Sequence, residues 1–304
     1  MSLESAVRQI LALPRSAQPS AIRLALRQLP DPGPLEEWNT HFGPGSLFDA
    51  WTRTSVASGV YAANVEVLRT FLDGRPDWTA VEIGAGNGAL WQRLLRAEDQ
   101  GHLVAVDPVS QALDTLATHL PEGVRCTPVV GDIAEVAIPE ADLVVCSLTL
   151  HHVAGRTRAE RESVGLSGPG KTEVLARIAD AIRPNRGVFV LNEADIHCEV
   201  DLPSGDPILV DRMCDSYVRR CGHAILEDLR RGPDEDLAAR WRHILRHWCL
   251  AQLRLADVPV AERDVYELDV SRWREVLSAA GLAIEEERFT DEVGLFRQYV
   301  CRAL

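Results

Sequence analysis

The sequence predicts a doubly wound α/β fold. Short apolar runs alternate with helical segments from Trp78 onward, a glycine-rich turn follows the first run, and a strand pair closes the chain after a late helix. Five runs are strand-like: Thr79 to Ile83, His102 to Val106, Val124 to Val130, Asp142 to Leu148 and Gly187 to Leu191. Each is compact and mostly apolar, the pattern of strands covered on both faces of a parallel sheet. Helical periodicity falls between them, over Ala89 to Ala97, Ser110 to His119 and Lys171 to Ile182, so right-handed βαβ units are expected. Ser271 to Ala280 reads as a helix stopped by Gly281, and Leu282 to Arg288 and Leu295 to Cys301 are the closing strands.

Two further stretches read as helical additions. Near the N-terminus Leu3, Val7, Ile10 and Leu11 share one helical face, Ile22, Ala25 and Leu29 share another, and a longer helical stretch runs from Leu47 to Phe71. Between the fifth strand and the late helix, Leu237, Trp241, Ile244, Leu245 and Trp248 form an apolar stripe. The chain therefore divides into an N-terminal helical segment (1–74), an α/β core (75–194), a helical insertion (195–270) and a C-terminal return to the core (271–304).

Composition narrows the partners. Of 304 residues, 46% are hydrophobic and 25% charged, as in a globular protein with a sizeable core. Acids outnumber bases 45 to 32, a net charge of −13. That sign repels phosphate backbones and anionic lipid, so neither nucleic acid nor membrane is an expected partner. No apolar run is long enough to span a bilayer, and the first residues lack the basic start and apolar stretch of a secretion signal. Seven scattered cysteines without a Cys-x-x-Cys pair suit reduced thiols in the cytoplasm. A homodimer is left open.

Three stations along the core point to a nucleoside-bearing ligand. The first is Val81-Glu82-Ile83-Gly84-Ala85-Gly86-Asn87-Gly88, at a strand-to-helix turn. Gly84 and Gly86 let the backbone turn sharply and come close to a ligand, and Gly88 lets the next helix pack tightly. The N-terminus of that helix is expected to offer unpaired N–H groups. Dinucleotide-binding folds use a related turn, but spaced G-x-G-x-x-G rather than the G-x-G-x-G seen here. The second is Asp107, followed by Pro108, at the end of the second strand, where a carboxylate can accept both hydroxyls of a ribose; its alternative is an ordinary helix cap. The third is Gly131-Asp132-Ile133, with Asp132 able to accept an exocyclic N–H of adenine and Ile133 a surface for the ring; its alternative is a plain Gly-Asp turn.

Together these stations resemble the class I methyltransferases that use S-adenosylmethionine (SAM). The resemblance covers about Trp78 to Glu193 and Ser271 to Leu304, and takes in the fourth strand, Ala141 to Leu148, and the turn Arg183 to Gly187. Arg186 departs from the glycine that many relatives have there. The resemblance implies a Rossmann-like seven-stranded sheet with an antiparallel last strand. It also implies a SAM site of Glu82, Gly84, Ala85, Gly86, Gly88, Asp107, Pro108, Asp132, Ile133 and Ser147. A bacterial natural-product type of small-molecule enzyme is expected, with the helical additions as a lid over the acceptor. An NAD(P)-dependent oxidoreductase and a non-catalytic binding module on the same fold are the alternatives.

SAM carries its own electrophile, so the protein mainly aligns a nucleophile with the C–S bond. Leu150-His151-His152, after the fourth strand, resembles a segment of many methyltransferases of small acceptors. One imidazole there can take the acceptor's proton; His152 is placed first and His151 second. Asn192, Glu193, Asp195 and His197 are expected to face the same crevice. His243 and His247 have the spacing of metal ligands on a helix, but without a supporting acid they read as a solvated face and no metal is expected. Trp51, Tyr61, Met213, Tyr217, Trp241 and Trp248 are the candidates for an apolar acceptor pocket, their alternative being plain core.

Overall fold

The strand-like runs assemble into one sheet. The computed structural model describes residues 3–14, 52, 54–153, 169–184, 187–194, 222–228, 230, 268, 270–290 and 296–304. Its strands are β1 (Trp78–Ile83), β2 (Gly101–Asp107), β3 (Val124–Val130), β4 (Leu143–Ser147), β5 (Val188–Ala194), β6 (Leu282–Phe289) and β7 (Phe296–Ala303). Their order is β3-β2-β1-β4-β5-β7-β6. The first five run parallel, while β7 pairs antiparallel with both β5 and β6. The sheet is therefore seven-stranded with an antiparallel last strand.

Both faces are covered because the strand bodies are apolar on both sides. Val81, Ile83, Val104, Val144, Phe189 and Leu191 point to one face, where helices α5 (Pro169–Ala181) and α6 (Val270–Ala279) supply Leu175, Ile178, Trp273 and Leu277. Ala80, Leu103, Ala105, Val145 and Val190 point to the other. There they meet Leu68 of α2 (Ser55–Leu72), Trp91 of α3 (Ala89–Leu94) and Leu116 of α4 (Ser110–Thr118). Near the N-terminus, Val7 and Ile10 of α1 (Leu3–Ala12) are buried as their shared face requires.

Helix ends follow local chemistry. Thr54 caps α2 by accepting the Ala57 N–H. The late helix stops before Gly281, whose φ of +78° takes the left-handed turn. The expected helix from Ala89 to Ala97 is shorter, ending at Leu94. Asp99 accepts the Arg96 N–H at 2.8 Å and pairs with Arg69 of α2 at 2.6 Å, which draws the chain out of the helix. Of the stretch from Leu47 to Phe71, Ser55 onward is helix α2, while 47–51 and 53 lie outside the described residues. The expected helix over 22–29, the loop 154–168, the stripe 237–248 with its histidine pair, and Trp51, Asp195, His197, Met213 and Tyr217 lie outside the described residues. No helix among the described residues is long and apolar enough to cross a membrane.

Candidate functional site

The carboxyl ends of β1, β2 and β4 surround a cavity of about 270 Å³, as the crevice rule for open α/β sheets requires. Glu82, Gly84, Ala85, Gly86, Asp107, Pro108, Asp132, Ile133, Ser147 and His152 all line it. Sequence reasoning thus named residues that the fold brings to one place. Two named residues stand outside the wall. Gly88, with φ +77°, lies against α4, and a Cβ there would sit 2.7 Å from Leu116 Cγ. It serves the close packing of α3. His151 is held away from the cavity by Glu193.

The glycine turn is fixed from within. Gly84 N–H and Ala85 N–H donate to the Val106 carbonyl at 2.8 and 3.1 Å, Gly86 N–H donates to Asp107 Oδ2 at 2.9 Å, and Gly88 N–H donates to the Ala85 carbonyl at 3.1 Å. Ala89 N–H, at the start of α3, donates to Asn87 Oδ1. The expectation that the turn offers its amides to a ligand therefore fails for these five, which are engaged inside the protein. Gly84, at φ +73°, has Thr149 directly over it, since a Cβ would fall 1.9 Å from Thr149 Oγ1. What reaches the cavity is backbone surface and carboxylates.

Among the described residues three acids line the wall, and no Lys or Arg does. Asp107 is 3% exposed and accepts from Gly86 N–H and Val109 N–H. Burial raises its carboxyl above the ordinary range while those two amides oppose the rise. Glu82 is also 3% exposed, accepts the Trp91 indole N–H, and is pushed well above the usual carboxylate range by burial, with the Asp107 charge adding to it. Asp132 is exposed and accepts the Ala134 N–H at 2.8 Å.

The turn after β4 carries the histidines. Leu148 has φ +54°, a strained conformation for a leucine, held by its N–H donating to the Asn192 carbonyl at 2.8 Å. Glu193 then gathers the following turn, Leu150–His152. Its Oε1 accepts Thr149 N–H at 2.9 Å and Leu150 N–H at 2.6 Å, and its Oε2 meets His151 Nδ1 at 2.8 Å. The two imidazoles lie 4.2 Å apart between centroids. Lys171, the chain's single lysine, is buried and donates to the Val153 carbonyl at 2.7 Å, securing the end of the turn. Asn192 and Glu193 were expected to face the crevice; they are instead buried on opposite faces of β5, because successive strand residues alternate.

Tyr61, an expected pocket aromatic, does line the cavity, with the Arg93 guanidinium 4.3 Å over its ring. Sequence reasoning missed Val60, which comes from a helix remote in sequence and belongs to no motif.

Residues 80–170 match the methyltransferase-domain family. Over that span the chain is similar to methyltransferase domains, in line with the resemblance its motifs carry. Its fold is shared with a possible exported protein of Bordetella parapertussis, at 18% identity, 98% of this chain, 85% of that one and a TM-score of 0.50. It is also shared with the complex between the Haloferax volcanii Trm112 methyltransferase activator and a chain assigned as a methyltransferase. That match has 12% identity, 89% and 99% coverage, and a TM-score of 0.50. The magnesium protoporphyrin IX methyltransferase of Synechocystis, solved with S-adenosylhomocysteine (SAH), aligns at 14% identity over 87% of this chain and 97% of that one, with a TM-score of 0.47. No curated protein sequence matches the chain.

The cofactor this fold uses is SAM, and the wall fits it. Gly84 lets the Thr149 side chain pack directly on the turn, Asp107 stands buried at the end of β2, and Glu82 brings a second carboxylate to a ligand that carries positive charge.

Proposed function

We propose that the protein transfers the methyl group of SAM to oxygen, nitrogen or carbon of a small organic metabolite. The observation that carries this is convergence: the glycine turn, Asp107, Asp132 and His152 line one cavity at the carboxyl ends of the strands. Bound SAM supplies the electrophilic methyl. Glu82, Gly84, Ala85, Gly86, Pro108, Ile133 and Ser147 form its bed, with Gly88 supporting the turn. Asp107 accepts the ribose hydroxyls and Asp132 the adenine N–H. His152, on the cavity wall, takes the acceptor's proton where the nucleophile is a hydroxyl or ammonium. His151, anchored by Glu193, backs it and is the alternative base. The segments 1–74 and 195–270 close over the acceptor and exclude water from the sulfonium. Their apolar stripes support this, since each needs a surface to cover it. Free Cys126, Cys146 and Cys301 support a cytoplasmic site of action.

The test is incubation with methyl-labelled SAM and a panel of phenols, amines and keto acids, alongside calorimetry with SAM, SAH and NAD(H). Saturable SAM and SAH binding with label transfer is expected. Binding of NAD(H) in place of SAM returns the oxidoreductase reading.

A further inference from the structure

Glu82 differs from the other acids of the cavity in what it lacks. Asp107 accepts a backbone amide on each oxygen, and Asp132 is open to water. Glu82 is 3% exposed, its Oε2 accepts the Trp91 indole N–H, and its Oε1 accepts no hydrogen bond among the described residues. Yet Glu82 lines the cavity.

Among the described residues the surroundings offer no charge to balance it. From β2 comes Asp107, a second acid. From α2 comes Tyr61, whose own hydroxyl is driven up by burial and by the Glu82 charge, with Arg93 opposing. From α3 come Trp91, a neutral donor, and Arg93, whose guanidinium lies over the Tyr61 ring and donates to the Ala89 carbonyl. From β4 comes the buried Cys146 thiol, on which both Glu82 and Glu193 act unfavourably. Asp132 and His152 complete the titratable lining. An ionised carboxylate with one neutral donor, walled by apolar atoms and facing another acid, is poorly stabilised, and such a group neutralises itself by holding a proton.

We propose that cofactor binding is an exchange of cations at Glu82, in which a positive group of the cofactor displaces a proton that Glu82 holds in the empty cavity. The proposal rests on the reading of this cavity as the SAM site. The O–H bond of the carboxylic acid breaks, the proton leaves to solvent, and the carboxylate keeps the Trp91 N–H and gains a cationic partner. That partner is the methionine ammonium or the sulfonium. SAM carries both and SAH only the ammonium, so the two ligands separate the sources. In the sulfonium case methyl transfer removes the charge that holds Glu82 ionised, so the proton returns from solvent at transfer, with the product still bound, and product release takes up none. In either case affinity rises with pH by up to about tenfold per unit, between the titration of Glu82 in the complex and in the empty site.

Calorimetry of SAM and SAH binding at neutral pH, in buffers of different ionisation enthalpy, counts the protons released. About one per SAM is expected from the parent and none from Glu82→Gln; SAH releases one if the partner is the ammonium and none if it is the sulfonium. Infrared difference spectra of the parent, with ¹³C-labelled glutamate to separate Glu82 from the aspartates, should lose a carboxylic-acid carbonyl band on SAM binding. That measurement decides the matter even where Glu82→Gln does not fold. SAM binding without proton release and without the band change overturns the exchange and leaves the cofactor reading intact. Release that persists in folded Glu82→Gln also overturns it. Failure of the parent to bind SAM overturns the cofactor reading, and the exchange with it.

Discussion

Replacing Glu193 separates its two tasks. The carboxylate holds Thr149 N–H at 2.9 Å, Leu150 N–H at 2.6 Å and His151 Nδ1 at 2.8 Å, and its side chain is 1% exposed. In Glu193→Ala both backbone donors lose their acceptor, Leu150 N–H in a buried place and Thr149 N–H in a partly buried one. Each such donor costs about 1–3 kcal/mol, so the pair costs about 2–6 kcal/mol. Removing the buried charge returns part of this, as does relaxation at Leu148, whose left-handed conformation costs about 1–2 kcal/mol. A net loss of about 2–3 kcal/mol follows, or about 4–12 °C in Tm for a domain of this size class. Glu193→Gln keeps one oxygen for the two amides and faces His151 Nδ1 with an N–H₂ group. The ring must then accept at Nδ1, so its proton moves to Nε2 and the tautomer inverts. Thermal unfolding measures the first effect and ¹⁵N shifts of the His151 ring the second. A Glu193→Ala protein unfolding within about 2 °C of the parent would refute the stability argument. An unchanged ring tautomer in folded Glu193→Gln would refute the positioning argument.

The remaining outcomes concern ligand and rate. Gly84→Ala should abolish SAM binding in calorimetry, because its Cβ meets Thr149 at 1.9 Å in a backbone conformation that disfavours any side chain. Asp107→Ala should weaken SAM by about 1–3 kcal/mol, or roughly 5- to 150-fold in Kd, from lost charge-assisted hydrogen bonds and a loosened turn. His152→Ala should lower kcat by about 10²–10⁴ while SAM affinity stays near the parent's, and the limb of the kcat–pH profile rising through the imidazole range should vanish. Full kcat in both His151→Ala and His152→Ala would remove histidine from the mechanism.

The sheet was legible because its central strands are buried on both faces; β3 and β6, at its edges, are largely exposed, and for β3 the expected burial on both faces does not hold. Ala80 to Ile83, Leu103 to Asp107 and Val188 to Asn192 are buried without a break, and continuous apolar runs survive any choice of face. The cofactor stations were legible because each lies within a few residues of a strand end. The limits of α3 were not, since the Asp99–Arg69 pair that ends it joins residues thirty apart. Glu193 was visible as an acid after a strand, but its three donors were not, because they belong to a turn forty-odd residues earlier. Tyr61 was readable as an aromatic on a helix; its place on the wall follows only once α2 lies across the sheet.

The electrostatics of the wall bear on the choice between cofactors. A dinucleotide site binds a pyrophosphate through free amides at a glycine turn and helix N-terminus. Here the amides of Gly84, Ala85, Gly86, Gly88 and Ala89 already have acceptors within the protein, α3 is six residues long, and Glu82, Asp107 and Asp132 line the same cavity with no Lys or Arg among its described lining residues. A pyrophosphate entering this space would meet carboxylates where it needs donors. A ligand rich in hydroxyls and carrying positive charge meets acceptors instead, and it finds the turn already ordered by Asp107. Less conformational freedom is then lost on binding. The same hydrogen bond from Gly86 to Asp107 that shapes the empty turn therefore also sets the sign of the charge that the site prefers.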